Sequence, residues 1–196
     1  MQQTLDAAFH LFTEKGYDGT TIADIAKRAG VSAGAVYRRF PDKDALLNAV
    51  ADGYFLTRRR EFDALADTVL SEISTARRVI EAYTRIIFSA YQADALTVRL
   101  FERRALVDQG MADRVAEGSR HVVTRIAQLL TRVDPRPLRE IEGLVTQWHA
   151  ILRGTIMHSI LPDKPSKWPP PLLNDPQFEA GMVRAGLHWF RLGKRV

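Results

Sequence analysis

The sequence contains no cysteine. That excludes disulfides, thiol nucleophiles and thiolate-bound metals together, and it suits a reducing compartment, so a cytoplasmic location is expected. Nor is there an uninterrupted apolar run of the roughly 20 residues that a bilayer-spanning helix needs. The best candidate, residues 143–162, carries Gln147, His149, Arg153 and His158 and reads as a packed helix. The amino-terminal stretch MQQTLDAAFHLF has no cationic start leading into an apolar block, so no secretory signal and no membrane partner are expected. Three common catalytic signatures, G-x-S-x-G, G-x-G-x-x-G and G-x-x-x-x-G-K-S/T, are missing. The five histidines (His10, His121, His149, His158, His188) include no i, i+4 pair. No metal site, no cofactor and no enzymatic activity are expected.

What is present is a folded-protein composition of 196 residues, 46% hydrophobic and 26% charged. The net charge of +5 invites a nucleic-acid reading, but its distribution resists that shortcut. Residues 1–50 are neutral, and the whole excess lies in residues 51–196. A DNA-binding argument must therefore rest on where the cations stand.

Helical periodicity dominates, and strand alternation is nearly absent. Leu5, Ala8, Phe9 and Phe12 form one apolar stripe of a first helix, which Gly16 is placed to cap in the left-handed conformation. Thr21 and Asp24 make a capping pattern for a second, with Ile22, Ile25, Ala26 and Ala29 inward. Ser32 caps a third helix, 33–39, and Asp42 caps the next. Longer helices follow at about 43–65, 75–91, 94–108, 112–133, 136–161 and 176–192. The last two each start at an Asp-Pro pair, Asp134-Pro135 and Asp175-Pro176. Between them, five prolines in residues 162–171 predict an extended crossover. The expected fold is all-α, with about nine helices: an N-terminal three-helix domain, 1–46, and a larger helical bundle, 47–196.

The informative stretch is TIADIAKRAGVSAGAVYRRF, residues 21–40. Two short helices flank the turn Ala29-Gly30-Val31-Ser32, and Ile22, Ile25, Ala26, Val31, Val36 and Phe40 form the apolar set. That is the physical recipe for a helix-turn-helix, whose second helix enters the major groove. Here that helix presents Ser32, Ala33, Gly34, Ala35, Tyr37, Arg38 and Arg39.

Residues 5–47 resemble the N-terminal domain of the TetR (tetracycline-repressor) family of one-component transcriptional regulators. The stretches LF-x-E-K-G-Y, T-T-I-x-x-I-A, A-G-V-S-x-G-x-x-Y and F-x-x-K-x-x-L-L carry the likeness. The resemblance implies a homodimeric repressor on a near-palindromic double-stranded operator, with a C-terminal domain that dimerises and binds a small-molecule effector. It further implies phosphate contacts from Thr21, Tyr37 and Lys43, and a groove-facing set at positions 33, 34, 35, 38 and 39. Position 33, often basic or polar in the family, is alanine here, so direct readout is expected from Arg38 and Arg39. The sequence also starts close to its first helix, without the basic arm that many relatives carry.

Outside that stretch no family motif stands out. Tyr54, Phe55, Phe62, Tyr83, Phe88, Tyr91, Phe101 and Trp148 are candidates for an apolar ligand pocket as well as for plain core. A small-residue stripe, Gly143, Gln147, Ala150 and Gly154, with Gly181 and Ala185 on the last helix, suits close packing between protomers or within one. Arg58-Arg59-Arg60 reads as a solvated helix face. The helix at 43–65 is about 30 Å long and is expected to report an occupied pocket to the DNA-binding domain. The alternative to a repressor is an all-α carrier or partner-binding protein that keeps the helix-turn-helix only as structure.

Overall fold

A computed structural model describes residues 1–70, 72–162 and 173–192. Among these residues the fold is nine α-helices and one π-helical segment, with no strand. The helices are α1 (Gln2–Lys15), α2 (Ile22–Ala29), α3 (Ala33–Tyr37), α4 (Lys43–Leu65), α5 (Ala76–Ala93), α6 (Ala95–Ala105), α7 (Gln109–Leu130), α8 (Leu138–Ile160) and α9 (Pro176–Trp189). The π-helical segment, Ala66–Leu70, continues α4. The all-α expectation holds, and the proline-rich crossover falls almost wholly outside the described residues.

The chain forms two compact units, Met1–Arg58 with Leu96–Val115, and Arg59–Ala95 with Ala116–Val196. In the first, α1 buries Ala7, Ala8, Leu11 and Phe12 against Ile22, Ile25, Ala26, Val36, Leu46, Leu47 and Val50, and α6 adds Leu100 and Phe101. Leu5 and Phe9, expected at the centre of the α1 stripe, are only partly buried at its border. Val31, expected inside, is exposed. Its backbone N–H closes the α2 C-terminus on the Ala26 carbonyl, so the turn directs the side chain outward.

In the second unit α5, α8 and α9 pack together around Ile80, Tyr83, Phe88, Trp148, Leu152 and Leu187. Gly186 lets α9 approach α8: a Cβ there would stand 2.8 Å from the Trp148 ring. The later part of α4 and its π-helical continuation run parallel to α7, joined by Arg59–Glu117 (2.6 Å), Asp63–His121 (2.8 Å) and Asp67–Arg125 ion pairs. These pairs keep one offset along both segments and advance four residues at a time, one helical turn each.

Two expected caps differ. Gly16 has φ 76° but ψ 172°, a glycine-only conformation distinct from the left-handed cap. Asp134 does not start α8. Its buried carboxylate accepts from the backbone N–H and the guanidinium of Arg136, which holds it below the usual carboxylate range, and α8 begins at Leu138. Asp175 does cap α9, accepting from Gln177 N–H at 2.8 Å with Pro176 in the first turn.

Candidate nucleic-acid interface

The helix-turn-helix is assembled by local polar closures. Thr21 Oγ1 accepts from Asp24 N–H at 3.1 Å, and Asp24 Oδ2 accepts from Thr21 N–H at 3.2 Å, a reciprocal capping box. Gly30 at φ 68°, ψ 30° ends α2 in the left-handed region that side chains disfavour. Ser32 Oγ accepts from Ala35 N–H at 3.2 Å and starts α3. Regular helix stops at Tyr37, short of the expected residue 39. Arg38 and Arg39 stand in a following turn, tied to Gly34 and Val36 carbonyls, and Phe40 closes that turn against the core.

Of the expected groove-facing positions, Ser32, Gly34, Tyr37, Arg38 and Arg39 are exposed, while Ala33 and Ala35 are half-buried. Thr21 is exposed, its hydroxyl donating to Asp24 Oδ2 at 2.7 Å. Arg38 and Arg39 make no ion pair among the described residues. By contrast, Arg28 is held by two bonds to Glu14 (2.8 and 3.1 Å), and Arg114 by one to Asp52 (2.6 Å). Two adjacent guanidiniums are thus left presented to solvent beside an exposed tyrosine.

Lys43 is differently placed. Its Nζ donates to the carbonyls of Tyr17 and Thr20 (2.9 and 3.1 Å) and lies 4.1 Å from the Tyr17 ring centre. The Arg104 guanidinium stands 4.6 Å from the same ring and donates to Asp44 at 2.7 Å, while the Tyr17 hydroxyl donates to Asp44 at 2.5 Å. Burial and the Asp44 carboxylate push the Tyr17 phenol up to about 12. The turn between α1 and α2 is therefore pinned to the start of α4 and the end of α6 through one aromatic ring. The sequence marked Lys43 but not Arg104, whose partners Asp44 and Tyr17 lie 60 and 87 residues away, although Asp108 stands one helical turn on.

The pocket candidates divide between the units. Tyr54, Phe55 and Phe101 cluster in the first, with ring centres 5.2–5.5 Å apart. Tyr83, Phe88 and Trp148 are buried in the second, and Phe62 and Tyr91 are half-buried there. Composition singled out Tyr83 and Trp148 but missed their partners. The Tyr83 hydroxyl meets His149 Nδ1 at 2.7 Å, and Trp148 Nε1 donates to Thr84 at 3.3 Å. On the proposed dimer face, Gly143, Gln147, Ala150, Gly154 and Ala185 are exposed and Gly181 is half-buried.

Residues 5–50 match the family model of bacterial regulatory proteins, tetR family. A transcriptional repressor of helix-turn-helix type from Mycobacterium tuberculosis is 37% identical over 106 residues, 53% of this chain and 55% of the relative. The regulator BetI of Burkholderia cenocepacia is 32% identical over 128 residues, 63% of this chain and 61% of BetI. The chain thus spans a little over half the length of the curated relatives it matches. In fold it is similar to a tetR-family regulator from Mesorhizobium loti, with TM-score 0.76 and 20% identity over 95% of this chain and 94% of the other. It is also similar to FadR of Bacillus subtilis in complex with stearoyl-CoA, with TM-score 0.59 and 18% identity over 97% and 96%. The likeness to the family seen in the sequence is borne out.

Proposed function

We propose that this chain, a member of the TetR family by its first fifty residues and its fold, is a DNA-binding transcriptional repressor that works as a homodimer and responds to a small, largely apolar effector. The observation that carries the reading is the pair Arg38 and Arg39, exposed and, among the described residues, without a carboxylate partner at the end of a helix-turn-helix. Guanine offers O6 and N7 to one guanidinium in the major groove, so one or both arginines supply base readout. Tyr37 and Thr21 supply phosphate contacts. Lys43 acts first by fixing the turn between α1 and α2, and through it the presentation of Thr21.

The exposed α8 stripe supports the dimer. A Cβ at Gly143 or Gly154 would meet nothing within 4 Å, and Ile151 and Trp189 are exposed nearby in sequence. The acyl-CoA in the FadR structure supports an effector with an apolar body. Differential affinity for the two states of the dimer, with α4 as the element that carries the change, would move the operator equilibrium. The carrier alternative has no comparable support, since the matched proteins are regulators.

The test is binding to duplexes from upstream of the protein's own gene. Arg38→Ala or Arg39→Ala should weaken operator binding by roughly 1–3 kcal/mol more than random-duplex binding. Equal losses on both duplexes would reduce the arginines to phosphate contacts, and absence of any preferred duplex would remove the repressor reading. Gly154→Arg and Ala185→Glu should yield monomers by light scattering.

A further inference from the structure

In α3 and the turn after it, Ala33, Val36 and Phe40 pack inward on the core of the first unit. The opposite face carries Gly34, Tyr37 and Arg38, all exposed, at the i, i+3, i+4 spacing of one helical stripe. The Arg38 N–H donates to the Gly34 carbonyl at 3.1 Å, so the two stand one turn apart on that face. Gly34 takes ordinary right-handed helical backbone, and a Cβ there would meet only Ser32 Oγ, at 4.0 Å. Neither backbone geometry nor packing asks for glycine, which is a poorer helix former than alanine. Gly53 on α4 is equally open, but it lies outside the stripe that carries Tyr37 and Arg38.

A bare position that the free protein does not require is explained by what comes against it. Charge says what that is: Arg38 and Arg39 are exposed and, among the described residues, make no ion pair, so this face offers two guanidiniums to a polyanion. The side chains from Ser32 to Arg39 include no amide and no carboxylate. None of them can take both N6 and N7 of adenine or accept from N4 of cytosine. Ser32 Oγ already accepts from Ala35 N–H at 3.2 Å. What a bare helix surface rewards is an apolar group, and the one that base pairs present in the major groove is the thymine 5-methyl. Glycine lets the backbone come closer to that group than any side chain would.

We propose that Gly34 is a specificity-determining position of the DNA interface: its bare backbone seats a thymine 5-methyl, one helical turn before the base read by Arg38. The inference rests on the repressor reading above and adds the base chemistry of the half-site. One turn of helix advances about 5.4 Å and one base pair about 3.4 Å, so the thymine lies within about two base pairs of the Arg38 contact.

The test uses a duplex selected by the full chain from a randomised pool, then remade with each thymine replaced in turn by deoxyuridine, which lacks only the 5-methyl. At one thymine per half-site, replacement should lower affinity about fourfold. Gly34→Ala should lower affinity for the thymine duplex about tenfold, leave random-duplex affinity unchanged, and melt at or above the wild-type temperature. On the deoxyuridine duplex its penalty should shrink to about threefold or less, because the added methyl takes the place of the one removed. Loosened packing would not produce that compensation. Equal penalties on the two duplexes, wild-type affinity in Gly34→Ala, a lowered melting temperature, or no thymine that responds to replacement would each overturn the seat. A pool that yields no preferred duplex removes the repressor reading as well, whereas a preferred duplex that fails any of these comparisons removes only the thymine seat.

Discussion

In the first unit Thr20 is fully buried, and its hydroxyl donates to the carbonyls of Leu11 and Gly16, nine and four residues back. In the second unit the buried His149 finds its partner in Tyr83, 66 residues away, and Trp148 finds Thr84 at a separation of 64. The caps of α2 and α3 likewise close within three residues. The helix-turn-helix thus carries its polar satisfaction in local sequence, where a short motif can specify it. The α5–α8 seam depends on helices meeting in one register, and no local motif encodes that. The family model matches this locally closed stretch, residues 5–50.

The sharpest break comes from Phe12, wholly buried in the first unit and stacked on Tyr17. Phe12→Ala should cost about 3–5 kcal/mol through lost burial and a residual cavity. Urea denaturation and operator binding should fail together. A folded variant that still binds operator would show that the capped helices stand without their shared core.

Acid should act on the second unit through His149. Its folded pKa, about 4, lies below the ordinary value of 6.5, because burial and Arg153 disfavour the charged ring. The stability tied to the neutral ring is therefore complete above about pH 6.5 and lost as pH falls toward 4, where the loss levels off. The full span is on the order of 3 kcal/mol. Denaturation at pH 7, 5 and 4 should show this decline in the wild type and a shallower one in His149→Phe. Parallel declines would assign the acid sensitivity to other groups.

Gly186 tests the register itself. A Cβ there would meet Trp148 at 2.8 and 2.9 Å, and that rigid ring is held on Thr84. Gly186→Ala should destabilise by about 1–3 kcal/mol through overpacking. Gly53→Ala, exposed on α4 with open space at its Cβ, should be neutral or slightly stabilising. Thermal melts of the pair separate a packing glycine from an exposed one.

That glycine also marks where sequence reasoning ran out. Gly181 and Ala185 stood out because their spacing is visible along one helix, yet the close approach falls on Gly186, one residue further. The reason is the position of Trp148, which periodicity along α9 does not contain. Thr21, Gly30, Ser32 and Asp42 were legible because each acts on backbone within four residues. Asp134 misled because Asp-Pro is a capping pattern only when the next residues are free to begin a helix. Here Arg136 claims the carboxylate first. Arg38 and Arg39 were legible as exposed cations, whereas the capture of Lys43 by the Tyr17 and Thr20 carbonyls needed α1 and α4 in place.

The smallest effect compares one cap from each unit. Thr21 belongs to a reciprocal box in which two backbone N–H groups are satisfied, at 3.1 and 3.2 Å. Thr75 caps α5 through one longer contact, 3.4 Å to Arg78 N–H. Thr21→Ala should cost about 1 kcal/mol, since the Asp24 N–H loses its acceptor and the Asp24 carboxylate loses the hydroxyl. Thr75→Ala should cost about half as much, because a long single bond is already weak. Thr21→Ser keeps the acceptor and should restore most of the loss. Chemical denaturation of the three variants reads the order directly. If Thr75→Ala proves the costlier, local closure is not what distinguishes the helix-turn-helix, and the greater share of its order must come from the core around Phe12 and Leu46.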